Sequence, residues 1–168
     1  MESQIEIVEF TDHYCTWCWG SEPVLRHAKE AYGDQLRVRF VMGGLVEDRA
    51  MCAEYGVYGF PAFLVRVGER AQVISGYRGF SQVGGLIDLL AGSPVARQHP
   101  TFQDDVVLGF VDKYGSAATR EVAEVFEVSD EAADEALDRL IAAGLLECVP
   151  AETGRLYRAV GGVTPKGR

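Results

Sequence analysis

Apolar and polar positions follow two periods along this chain, and the switches between them mark its elements. Residues 5–10 (IEIVEF) are short, apolar and β-branched, which predicts a strand. From about Trp19 to Tyr32 the spacing of Val24, Leu25, Ala28 and Ala31 is helical, and Gly33 ends it. Residues 36–42 (LRVRFVM) alternate apolar with basic side chains like a strand, Gly43-Gly44 marks a turn, and residues 48–56 read as a short helix. Residues 62–67 and 71–77 form a hairpin around Gly68, and residues 81–91 close the series as a helix with Ser81 as N-cap. The predicted order is β-α-β-α-β-β-α.

After Gly92 the pattern changes. Residues 93–101 hold two prolines and polar side chains and read as a linker. Three helical patterns follow at 104–115, 119–127 and 129–144, with Thr119 and Ser129 as N-caps and Gly144 as a stop. Only a very short turn at Val128 separates the last two. Residues 145–160 then alternate like two strands around a turn at 151–154. The expected organisation is a first domain at 1–92, a linker at 93–101, a second domain at 102–160 and a tail at 161–168.

A length of 168 residues allows one large or two small domains. The N-terminus, MESQIEIVEF, lacks a basic region followed by a long apolar one, and no apolar run approaches the roughly 18 residues of a membrane span. These features point to the cytoplasm and away from a membrane. Four cysteines in this length do not make a disulfide framework, and in a reducing compartment a close pair cycles rather than staples.

Cys15-Thr16-Trp17-Cys18 is such a pair, placed where the first strand gives way to a helix. A sulfur at a helix start feels unpaired backbone N–H groups, which stabilise its thiolate and make Cys15 the attacking thiol and Cys18 the resolving one. The same spacing serves zinc sites, but those need a second ligand pair, and Cys52 and Cys148 stand alone and far apart. Cys52 and Cys148 read as small buried hydrophobes. Glu9 lies six residues before Cys15. Strand parity groups it with Ile5 and Ile7 rather than Glu6; the alternative is a solvated acid on an outward face.

Residues 4–92 resemble the thioredoxin fold, and CTWCWG followed by SEPVL is most similar to cytosolic members of the DsbA family. The resemblance implies an α/β thioredoxin-like fold and a thiol-disulfide oxidoreductase. It implies that Pro61, in YGFPAFLV, opens a strand beside the cysteines with Phe60 exposing backbone groups to a client, and that Glu9 is a buried acid serving Cys18. Trp17, between the cysteines, offers an apolar landing surface. Known dithiol proteins span about −270 to −120 mV, too wide a range for the Thr-Trp dipeptide to fix the potential. The eighteen residues between Met42 and Pro61 leave no room for the helical insertion usual in the DsbA family. Implied partners are disulfide-containing or thiol client proteins and a reductase or glutathione pool; no cofactor or metal is implied. CTWCWG, GGL and YGVYGFPAFLV also resemble cytosolic DsbA-like protease adaptors, which keeps a redox-sensing adaptor or regulator as the alternative function.

The second domain, through ALDRLIAAGLLE and GRLYRAV, resembles a small α+β winged helix-turn-helix. Charge argues against DNA. Residues 101–168 hold 13 acidic and 7 basic side chains, and Asp130, Glu131, Asp134, Glu135 and Asp138 leave Arg139 as the only cation of the would-be recognition helix. Arg155 and Arg158 in the wing do not reverse that balance. An acidic protein-contact module is the expectation, and winged helices often pair, which implies a homodimer.

Overall fold

A computed structural model describes residues 4–151 and 154–161, which divide between two units, Met1–Gln98 and His99–Arg168. In the first, β1 (Ile5–Thr11) is an inner strand of a four-stranded sheet of order β2-β1-β3-β4. β2 (Leu36–Met42) runs parallel to β1, so the chain must cross over between them. It does so through α1 (Thr16–Gly20), α2 (Glu22–Tyr32) and one 3-10 turn at Gly33–Gln35. α3 (Val46–Glu54) leads into β3 (Ala62–Val67), which pairs antiparallel with β1 and, through the turn at Gly68, with β4 (Arg70–Ser75). α4 (Phe80–Ala91) follows.

Because successive side chains of a strand point to opposite faces, β1 feeds two cores. Ile5 and Ile7 pack with Phe63 and Val65 against Leu25 and Ala28 of α2 and Val83 and Ile87 of α4. Val8 and Phe10 pack with Val41 and Leu64 against Cys52 of α3 and Val57. Burying each such aliphatic side chain contributes about 1.5–3 kcal/mol, so both helical layers hold the central strand in place. The two strand glutamates separate as parity requires. Glu6 faces the α3 side, 3.0 Å from Arg66 Nη1 and 3.7 Å from Arg39 Nη1, while Glu9 faces the α2 side.

The structure corrects the expected helix start. The single helix read from Trp19 is two: α1 begins at Thr16, and α2 restarts after Ser21. Ser81 does not cap α4. Gly79 is the N-cap, and its N–H donates to Gln82 Oε1 at 3.3 Å, leaving Ser81 exposed within the first turn. After Gly92, residues 95–98 are bonded to the first unit rather than free of it. Val95 N–H donates to Asp88 Oδ1 at 2.8 Å, Gln98 N–H to Ala31 O at 2.7 Å, and Arg97 pairs with Asp88.

The second unit runs α5 (Asp104–Tyr114), β5 (Ala117–Ala118), α6 (Thr119–Phe126), α7 (Asp130–Ala142), β6 (Leu146–Ala151) and β7 (Gly154–Ala159). Its antiparallel sheet has the order β5-β7-β6. Val107, Val111, Val122, Leu137 and Tyr157 form its core. Ser129 caps α7, its Oγ accepting from Ala132 N–H at 3.2 Å. Thr119 does not cap α6. Ala118 holds that place and donates its N–H to Glu121 Oε2 at 2.7 Å, while the Thr119 hydroxyl donates to Asp134 Oδ1 at 2.6 Å.

Cys148 also departs from expectation, being exposed where a buried side chain was expected. It lies on β6, an edge strand of which Leu146 alone among the described side chains is buried. Two residues of the expected 151–154 turn (152 and 153), and all of the expected tail beyond Gly161, lie outside the described residues.

Candidate functional site

The chain leaves β1 at Thr11 and turns through Asp12, whose carboxylate Oδ1 accepts from Tyr14 N–H at 2.8 Å. Asp12 O accepts from Cys15 N–H at 3.1 Å, which sets Cys15 as the N-cap of α1 in extended conformation. From there Cys15 O accepts from Cys18 N–H at 3.0 Å, so the pair is joined across the first helical turn. Cys15 is half-buried and Cys18 buried; both are free thiols.

The two sulfurs have different surroundings. Burial pushes the Cys18 thiol up to about 11, and its hydrogen bond to Cys15 adds to the rise, against smaller opposing contributions from the Thr11 side chain and the Asp12 backbone. Cys18 therefore holds its proton at neutral pH. Cys15 lies at the surface side of the pair, and its Sγ donates to Phe60 O at 3.5 Å. The Phe60-Pro61 peptide bond is cis. Phe60 is half-buried and Pro61 buried at the start of β3, where Pro61 O accepts from Gly76 N–H at 2.8 Å.

Glu9 is 3% exposed, which rules out the solvated alternative. Burial raises its carboxyl from 4.5 to about 7. The Ser21 hydroxyl opposes that rise most strongly, Glu22 adds to it and Lys29 opposes it. Ser21 Oγ lies 2.7 Å from Glu9 Oε1 and 2.6 Å from Cys18 O, so a single hydroxyl connects the acid with the backbone of the second cysteine.

The structure thus gathers Cys15, Cys18, Phe60 and Pro61 at one end of β1 and β3 and ties Glu9 to Cys18 through Ser21. Trp17 is 69% exposed on α1 and Trp19 72%, and Tyr14 and Tyr58 are almost fully exposed, leaving aromatic surface along the chain on both sides of the cysteine site. Sequence reasoning missed Ser21 and Asp12. An aspartate three residues before the first cysteine is a turn signal that could have been read; Ser21 gains its role only from the break between α1 and α2. Among the described residues no group of three His, Cys, Asp or Glu side chains is placed to hold a metal ion, and no helix is long and apolar enough to cross a membrane.

The family model for thioredoxin matches residues 1–90. The ClpXP adapter protein SpxH of Halalkalibacterium halodurans is 38% identical over 48 residues; the match covers 29% of this chain and 16% of that protein, a small part of the relative's length. A mutant thioredoxin from Halobacterium salinarum is 20% identical with a TM-score of 0.45, covering 52% of this chain and 75% of its own. The germline-specific thioredoxin Deadhead of Drosophila melanogaster is 16% identical with a TM-score of 0.45, covering 52% and 82%.

Proposed function

The chain belongs to the thioredoxin family, and we propose that it is a cytoplasmic thiol-disulfide oxidoreductase of the DsbA-like type, with Cys15, Cys18 and Glu9 as its catalytic residues. The observation that carries this reading is the asymmetry of the pair: a half-exposed Cys15 at a helix start, and a buried Cys18 with its proton held, linked through Ser21 to a buried acid.

Cys15 attacks as the thiolate. Its Sγ bonds to one sulfur of a client disulfide, the client S–S bond breaks, and the other client sulfur leaves as a thiolate that takes a proton from solvent. Cys18 then gives up its proton, with the Glu9 carboxylate as acceptor, and its Sγ attacks Cys15 Sγ. The mixed disulfide breaks, the second client sulfur leaves, and a Cys15–Cys18 disulfide remains. Two electrons have passed to the client; a dithiol reductase or two glutathione molecules return them. Oxidation of a client thiol pair is the same sequence reversed. Phe60 offers its backbone to an extended client segment, Pro61 shapes that edge, and Trp17 supplies apolar contact.

In the whole chain, Cys15→Ser is expected to lose turnover of a model disulfide and Cys18→Ser to accumulate mixed disulfides with clients. Normal turnover by Cys15→Ser contradicts the reading.

For the second unit we assign a winged-helix role in protein contacts, including self-pairing, rather than DNA binding. The ion pairs of its cations support this: Arg139 with Asp104, Arg155 with Asp134 and Asp138, and Arg120 with Glu124 and Asp130. A redox-sensing adaptor is the second reading, favoured by the similarity to an adapter protein. The discriminating result is full disulfide turnover by residues 1–98, which confines the second unit to targeting or assembly.

A further inference from the structure

The Gly43-Gly44 turn has no part in the chemistry above, yet it touches both residues that hold Cys15. Neither glycine has a φ in the left-handed region, so backbone conformation does not call for the residue type here. Space does. A Cβ at Gly43 would fall within 2.8 Å of three carbons of the Phe60 ring, and one at Gly44 would lie 2.9 Å from Asp12 Oδ2. Gly43 N–H donates to Thr11 O at 2.9 Å, which ties the turn to the end of β1. The Phe60 ring also packs against the cluster of Val8, Phe10, Val41 and Leu64, so close-packed neighbours limit where it could move.

Phe60 and Asp12 are the residues whose carbonyl oxygens meet Cys15, the first at Sγ and the second at its N–H. We propose that Gly43 and Gly44 are positioning residues of the thiol site: their missing side chains seat the Phe60 ring and the Asp12 carboxylate, and so hold the Phe60 carbonyl against Cys15 Sγ. A methyl group at position 43 forces the ring off its seat and its carbonyl away from the sulfur. Cys15 Sγ then loses the carbonyl contact that holds it beside Pro61 and lies more open to an alkylating reagent. The effect on turnover rests on the oxidoreductase reading; the effect on thiol reactivity does not.

A double-mutant cycle in the full chain tests this. Iodoacetamide alkylation of Cys15 is followed by peptide mass spectrometry, which separates it from exposed Cys148, in wild type, Gly43→Ala, Phe60→Ala and the double variant. Gly43→Ala speeds Cys15 alkylation about fivefold when Phe60 is present and less than about twofold in the Phe60→Ala background. Equal effects in both backgrounds overturn the proposal. If Gly43→Ala fails to fold, recovery of a cooperative melt on adding Phe60→Ala supports the seat, and no recovery overturns it. Gly44→Ala, which meets only the end of a carboxylate, has the smaller effect of the two; a larger one contradicts the assignment. Turnover measured in parallel separates the two ideas: coupling without wild-type turnover sinks the oxidoreductase alone, and turnover without coupling sinks the positioning role alone.

Discussion

Ser21 stands between Glu9 and the backbone of Cys18 with one proton and two acceptors, its Oγ 2.7 Å from Glu9 Oε1 and 2.6 Å from Cys18 O. When Glu9 is ionised, the hydroxyl turns to the carboxylate, because a charged acceptor makes the stronger bond. When Glu9 is protonated, the acid donates to Ser21 and the hydroxyl is released to the Cys18 carbonyl. The ionisation state of a buried acid is thereby reported at the second cysteine.

The carbonyl carbon resonance of Cys18 accordingly titrates with a midpoint of about 7, that of the Glu9 carboxyl. Ser21→Ala removes the step, as does Glu9→Gln. It also costs about 1–3 kcal/mol in denaturant unfolding, because Glu9 loses its hydroxyl partner. Persistence of the step in Ser21→Ala contradicts the coupling.

Glu9 makes stability depend on pH with a definite sign. Its folded carboxyl titrates at about 7 against 4.5 for an ordinary glutamate, so between those values the folded state binds the extra proton. Stability is fully present below the unfolded value and is lost as pH rises through the folded one, by about 3 kcal/mol in all. Glu9→Gln, with nothing to ionise, gains over wild type at about pH 9 and far less at about pH 5, read by thermal melts. A gain independent of pH refutes the assignment.

The caps differ in their sensitivity. Ser129→Ala costs the second unit about 1 kcal/mol, because its Oγ accepts from Ala132 N–H. Ser81→Ala costs nothing comparable, since Gly79 is the cap and Ser81 lies exposed within the helix. Denaturant midpoints check both, and a larger loss for Ser81→Ala contradicts the assigned start of α4.

The strands β1 and β2 were legible because their signals are local, whereas the break between α1 and α2 was not. Alternating residues named β2 to the residue, and Cys15-Thr16-Trp17-Cys18 after β1 marked the candidate site. What stayed hidden depended on neighbours. Alternation could not decide whether Glu9 is buried, because β1 is covered on both faces and both parities read as core. The caps of α4 and α6 escaped notice because Gly79 and Ala118 have no capping side chain; Gln82 and Glu121 reach back to them instead. Cys148 read as core because its strand is apolar in sequence, and its place at a sheet edge exposes it.

The protein is expected to show no salt-dependent affinity for duplex DNA in fluorescence anisotropy. Phosphate binding needs free cations, and Arg139 and Arg155 are held by Asp104, Asp134 and Asp138. Tight binding that falls steeply with salt contradicts the protein-contact role.

Equilibrating the protein in graded glutathione buffers, trapping free thiols and mapping them by mass spectrometry bears on the Cys15–Cys18 cycle before any client is known. One reversible intramolecular disulfide between Cys15 and Cys18 is expected, at a potential between about −270 and −120 mV. No Cys15–Cys18 disulfide at any glutathione ratio would contradict that cycle.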